Sequence, residues 1–113
     1  MSLLKTLVRR FVLKIEPFLP PRRLIVVQGD VLPAQIPIRS IVLVRDGQED
    51  WCIGLQCPCG CGNTIELLII DEAQPRWDYS VNASGLPSVQ PSVWRNSGCR
   101  SHFWLRKGRI QWV

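Results

Sequence analysis

The chain has 113 residues and a formal charge of +5, with a pI near 9.3, so it is long enough for one small domain whose modest core a bound metal would reinforce. With 46% hydrophobic residues it is no disordered tail. It also lacks any apolar run of the roughly eighteen residues that a membrane-spanning helix needs.

The start, MSLLKTLVRRFVLK, makes a poor signal peptide: charges interrupt its apolar run and no small-residue cleavage site follows. Residues 1–16 read instead as an amphipathic helix. Leu3, Leu4, Leu7, Val8, Phe11, Val12 and Ile15 fall on one half of the wheel, opposite Ser2, Lys5, Thr6, Arg9, Arg10 and Glu16. That apolar half needs a cover: the rest of the domain, a second copy in a homodimer, a partner protein met through Leu7 and Phe11, or an anionic membrane surface. The membrane is the least favoured of these, because one short helix gives only reversible attachment. Pro17, Pro20 and Pro21 end the helix, and residues 17–23 form a stiff linker.

From residue 24 to residue 113 the pattern is β. Leu24–Val27 is a short strand, prolines 33 and 37 keep the next stretch irregular, and Ser40–Arg45 is a strand closed by an Asp46-Gly47 turn. In Trp51–Cys57 the alternation places Trp51, Ile53, Leu55 and Cys57 on one face and Cys52 on the other. Asn63–Ile70 returns as the second strand of a hairpin. Short strands follow at Trp77–Asn82 and Ser88–Trp94. The chain closes with a hairpin turning at Lys107-Gly108, which pairs Leu105 with Ile110 and Phe103 with Trp112 as core residues. The expected fold is mainly β (α+β): a small, zinc-stabilised antiparallel domain of hairpins behind an N-terminal helix.

Four of the five cysteines and the single histidine lie in two short loops, Cys57-Pro58-Cys59-Gly60-Cys61-Gly62 and Gly98-Cys99-Arg100-Ser101-His102. Paired thiolate and imidazole donors in tight loops are what a tetrahedral structural zinc requires. The clustering follows metal spacing rather than a disulfide framework, which points to a reducing cytoplasm. Cys57, Cys61, Cys99 and His102 are the expected Zn2+ ligands. A three-residue gap between the first two suits a zinc knuckle better than the tighter spacing through Cys59, which stands as the alternative ligand. Cys52 faces away and is set aside as a buried thiol.

Cys57–Gly62, Pro75–Trp77, Pro91–Trp94, Gly98–Trp104 and Gly108–Trp112 together read CPCGCG, PRW, PSVW, GCRSHFW and GRIQW. In this order and spacing the chain resembles a family of small bacterial metal-binding proteins. Members are often encoded beside ubiquitin-like modifiers, their activating and conjugating enzymes and JAB-type peptidases. The resemblance implies an accessory protein of a bacterial ubiquitin-like conjugation system with a role in phage defence, and it carries no catalytic residue with it.

With every metal position taken by protein ligands, no catalytic residue is expected, and the reading favoured by the sequence is a non-catalytic module that binds a protein partner. Trp104, Arg106 and Arg109 are its candidate contact residues, since aromatic and arginine side chains anchor interfaces. Two alternatives stay open. One is an iron–sulfur electron carrier, since Cys99-x-x-His102 is similar to a Rieske ligand loop, although a Rieske centre needs two histidines on one iron. The other is a nucleic-acid-binding zinc module, which scattered basic residues do not favour.

Overall fold

A computed structural model describes residues 2–95 and 98–113. One helix, α1 (Ser2–Lys14), precedes a single 3-10 turn at Glu16–Phe18. Among the described residues eight strands follow: β1 (Leu24–Gln28), β2 (Ile41–Asp46), β3 (Glu49–Gln56), β4 (Thr64–Leu68), β5 (Asp78–Val81), β6 (Pro87–Trp94), β7 (His102–Arg106) and β8 (Arg109–Trp112). They form two four-stranded sheets, β1-β2-β3-β4 and β5-β6-β7-β8. The protein is therefore mainly β, and every pairing is antiparallel except the parallel pairing of β1 with β2. A parallel pair needs a crossover, and the proline-bearing stretch 29–40 supplies it.

The sheets bury one face each against the other. Ile41, Leu43, Ile53, Leu55, Cys57, Ile65, Leu67 and Ile69 from the first meet Val89, Val93, Phe103 and Leu105 from the second. This is the alternation of half-buried strands: β4 and β7 each bury every second residue. On the far side of the first sheet, Ile36 from the crossover covers Val42, Val44 and Cys52. Trp51 packs with this second cluster rather than with Ile53 and Leu55. The register shift opposite Val44 and Arg45 leaves Trp51 out of the ladder and breaks the strict parity expected of it.

The final hairpin has the expected register, Leu105 with Ile110 and Phe103 with Trp112. Lys107 and Gly108 both take positive φ, 50° and 74°, as a type I′ turn demands. Gly108 is tied down further: its N–H donates to the Pro87 carbonyl at 2.7 Å, its carbonyl accepts from Arg22 N–H at 2.8 Å, and a side chain there would strike the Arg22 backbone. Trp112 lies edge-on to Phe103 but is 55% exposed, not a core residue, because β8 is the edge strand of its sheet.

Residues 17–23 are stitched to the domain through the same hairpin. Arg109 donates to the Leu19 carbonyl at 2.6 Å. Arg22, whose side chain is fully buried, pairs with Glu16 at 3.0 Å, and Arg39 pairs with Glu16 at 2.8 Å. Arg22 Nη1 has no partner among the described residues, so Glu16 is its main compensation. Burial pushes the Glu16 carboxyl upward, but hydrogen bonds and charge from Arg39 and Arg22 outweigh it and hold the group below its ordinary value of 4.5. A carboxyl depressed in the folded state stabilises fully above its unfolded pKa, and this contribution fades as the pH falls through the folded value. Glu16→Gln should therefore cost on the order of 3 kcal/mol at neutral pH, because it leaves a buried guanidinium uncompensated. In thermal melts the gap between variant and parent should narrow on acidification; a gap that widens would rule this out.

Most of the apolar face of α1 is left uncovered, although Val12 and Ile15 are half-buried. Leu3, Leu4, Leu7, Val8 and Phe11 are all exposed, Leu3 by 70%. The helix turns Arg9 and Leu13 inward instead: Arg9 Nε donates to Gln56 Oε1 at 3.1 Å, and Leu13 lies over Gly60. No helix among the described residues is long and apolar enough to cross a membrane.

Candidate active site and metal centre

The β3–β4 hairpin carries the first cysteine loop at its tip. Cys57 N–H donates to the Asn63 carbonyl at 2.8 Å and Gly60 N–H to the Cys57 carbonyl at 3.2 Å. Gly60 and Gly62, at φ of 93° and 88°, let the loop coil so tightly that three thiols converge. The β6–β7 connection brings Cys99 from the other sheet. The Sγ atoms of Cys57, Cys59, Cys61 and Cys99 all lie within 4.8 Å of one another, Cys57 being 3.4 Å from Cys59 and 3.5 Å from Cys99. A tetrahedral thiolate site with metal–sulfur bonds of about 2.3 Å separates its sulfurs by about 3.8 Å, so the group can hold a metal ion.

Polar neighbours favour thiolate at this centre. The Ser101 hydroxyl lies 3.1 Å from Cys99 Sγ, and chiefly through it the Cys99 thiol is held down at about 6. Arg95 Nη1 donates to Cys99 Sγ at 3.6 Å and to Cys61 Sγ at 3.7 Å. Cys59, by contrast, is pushed up to about 12, first by burial and then by its contact with Cys57. Cys52 is also pushed up to about 12, by burial first and Glu66 second. It lies in the second core cluster, outside the metal group.

His102 is not part of the cysteine group. Its Nε2 lies 2.9 Å from Ser92 Oγ. The register explains the meeting: Val93 faces Phe103 and Trp94 faces His102 across β6 and β7, so Ser92, Trp94 and His102 share the face turned away from the core. The Trp94 ring stacks on the imidazole, centroids 5.0 Å apart and planes inclined by 10°. Arg95 N–H donates to the Ser101 carbonyl at 2.8 Å, closing the loop that leads from the serine strand to the histidine. A serine hydroxyl on a histidine nitrogen is the pairing that activates serine as a nucleophile.

A family model described as bacterial ubiquitination-like system serine protease (BubE) matches residues 28–113. The chain belongs to the BubE family. Its resemblance to a family tied to ubiquitin-like conjugation therefore stands, and membership of such a system implies protein partners. No curated protein and no solved structure matches the chain. The BubE description corrects two expectations together, the non-catalytic module and the absence of an enzyme: the family is one of serine proteases. Both expectations rested on a metal filled by protein ligands, which says nothing about a nucleophile placed elsewhere in the domain.

Of the expected ligands, Cys57, Cys61 and Cys99 come together, and Cys59 completes the four. His102 is three residues from Cys99 but starts a strand, which turns its ring onto β6 and Ser92. Of the expected contact residues, Trp104 and Arg106 share the outer face of β7 with His102, the Arg106 guanidinium lying 4.2 Å from the Trp104 ring centroid. Arg109 is occupied by the Leu19 carbonyl, and Leu7 and Phe11 are exposed on α1. Ser92 was not singled out, although it lies inside the Pro91–Trp94 motif of the resemblance, because nothing within that motif pairs its hydroxyl with a base. The available signal was indirect: with a single histidine in the chain, a serine on an adjacent strand at the matching parity is the partner to look for.

Proposed function

We propose that this BubE chain is a serine hydrolase in which Ser92 is the nucleophile and His102 the general base. We further propose that zinc, bound by Cys57, Cys59, Cys61 and Cys99, holds the loop on which that pair depends. The observation that carries the first part is the 2.9 Å contact between Ser92 Oγ and His102 Nε2, in a family of serine proteases and a chain with one histidine. With the imidazole neutral and its proton on Nδ1, Nε2 accepts the Ser92 proton as Oγ forms a bond to the substrate carbonyl carbon. The carbonyl π pair moves onto oxygen. Collapse of that tetrahedral centre breaks the bond to the leaving amine or alcohol, which takes the proton from Nε2. Water, giving its proton to His102, then attacks the Ser92 ester; the acyl–Oγ bond breaks, Ser92 Oγ takes the proton back from His102 Nε2, and the acid leaves.

The substrate class proposed is an acyl bond at the C-terminus of a ubiquitin-like protein; the support is the family's description as a serine protease of a bacterial ubiquitination-like system. The outer face of the second sheet, with Trp104 and Arg106 beside the pair, would carry the protein body. The exposed apolar face of α1 would take a further protein partner. A second copy is the poorer fit, since the helix SLLKTLVRRFVLK carries Lys5, Arg9, Arg10 and Lys14 and no acid.

Zinc would supply structure rather than chemistry here, tying the β3–β4 hairpin to the β6–β7 loop that leads into His102. One zinc per chain in a colourless protein is the expected result of metal analysis; a brown preparation with iron and acid-labile sulfide would exclude zinc. The test of the nucleophile is labelling with an alkyl fluorophosphonate. Mass spectrometry should find the phosphonyl group on Ser92, and the His102→Ala protein should not react. Label on another serine, or undiminished reaction without His102, would end the assignment.

A further inference from the structure

In the familiar serine triad a third residue fixes the imidazole in its working orientation. Among the described residues no acidic side chain hydrogen-bonds the His102 ring, yet the ring is not left loose. Its plane lies 10° from that of Trp94, with centroids 5.0 Å apart. Trp94 is the direct cross-strand partner of His102 and sits two residues beyond Ser92 on the same face of β6. One stretch of strand thus supplies both the hydroxyl that Nε2 meets and the plate against which the ring lies.

Trp94 is also 65% exposed. An indole held so far out in water gives up most of the burial that usually rewards a tryptophan, so packing alone explains its presence poorly. Its position accounts for it better. An imidazole pinned flat cannot rotate about its Cβ–Cγ bond without leaving the stack, and rotation would carry Nε2 away from Ser92. As Ser92 loses its proton the ring becomes imidazolium, and an aromatic face attracts that cation more than it attracts the neutral ring.

We propose that Trp94 is the positioning residue of the Ser92–His102 pair, standing by ring stacking where a triad uses a hydrogen-bonded carboxylate. This rests on the assignment of that pair as the catalytic one, and its test must fail separately from that assignment. The probe is again an alkyl fluorophosphonate on the full-length, metal-loaded chain, read as the maximal labelling rate and the half-saturating concentration at Ser92. Trp94→Leu and Trp94→Thr should lower the maximal rate by about 10- to 100-fold, the scale of a misplaced reacting group, with little change in half-saturation. Trp94→Phe, which keeps an aromatic face, should recover most of the rate. Melting midpoint and metal content should hold in all three, since the side chain is exposed.

A second readout is independent of the probe. With one histidine in the chain, the imidazole carbon-bound protons give one resolved pair of proton resonances. They should sit upfield in the parent and in Trp94→Phe, and return toward free-histidine positions in Trp94→Leu. Label that lands on a serine other than Ser92 overturns the pair itself. Label on Ser92 at the parental rate in Trp94→Leu and Trp94→Thr, or unshifted histidine resonances in the parent, overturns the role of Trp94 alone.

Discussion

Ser92→Ala should lower turnover of a ubiquitin-like substrate by about 10⁴-fold or more, while KM, metal content and melting midpoint stay at parental values. The hydroxyl is the only group that alanine removes, and its role is made in the transition state, so the loss belongs in kcat. His102→Ala should fall to a similar floor. The double variant should be no worse than either single one, because residues that act as a unit lose their joint contribution at the first deletion. The cycle is a stricter test than a single loss of activity. Two losses that multiply in the double variant would mean that serine and histidine act separately, despite the 2.9 Å contact. Steady-state kinetics on the four proteins, with thermal melts as a control, decides it.

Cys99→Ala should cost both metal and activity, although Cys99 is remote from the reacting atoms in its role. It is the one thiol of the group that the β6–β7 loop contributes, so its removal frees that loop from the β3–β4 hairpin. Ser101 and His102 stand two and three residues further along the chain, and a shift of about 1 Å at a reacting group is worth about 100-fold. Turnover should drop by that much or more, stability should fall because metal binding and folding are coupled, and a strong chelator should reproduce both effects on the parent. Cys52→Ala gives the contrast. That thiol is buried against Ile36, Val42 and Val44, so its loss should cost about 1 kcal/mol of packing and leave metal and turnover intact. Metal analysis beside kinetics separates the two; a Cys99→Ala protein that keeps full metal and full turnover would refute the anchoring role.

By itself the sequence determined what local chemistry dictates. Lys107-Gly108 allows one turn, and that turn sets the register of β7 on β8. Strict alternation in β4 and β7 identified their buried faces. Cysteines crowded into two glycine-flanked loops pointed to a group able to hold a metal ion before any fold was known, although Cys59 stood there only as an alternative to the other three and His102, and strand parity set Cys52 apart. What the sequence left undecided depends on which strands become neighbours. The parallel pairing of β1 with β2, the bulge that redirects Trp51 and the outward apolar face of α1 are all decided by packing between distant segments. The histidine is the sharpest case. Its spacing from Cys99 suits a metal ligand, and within the loop nothing says otherwise. Only the pairing of β6 with β7 sets His102 opposite Trp94 and brings its Nε2 to Ser92. A side chain that starts a strand takes its direction from the sheet it joins, and the sheet is a property of the whole chain.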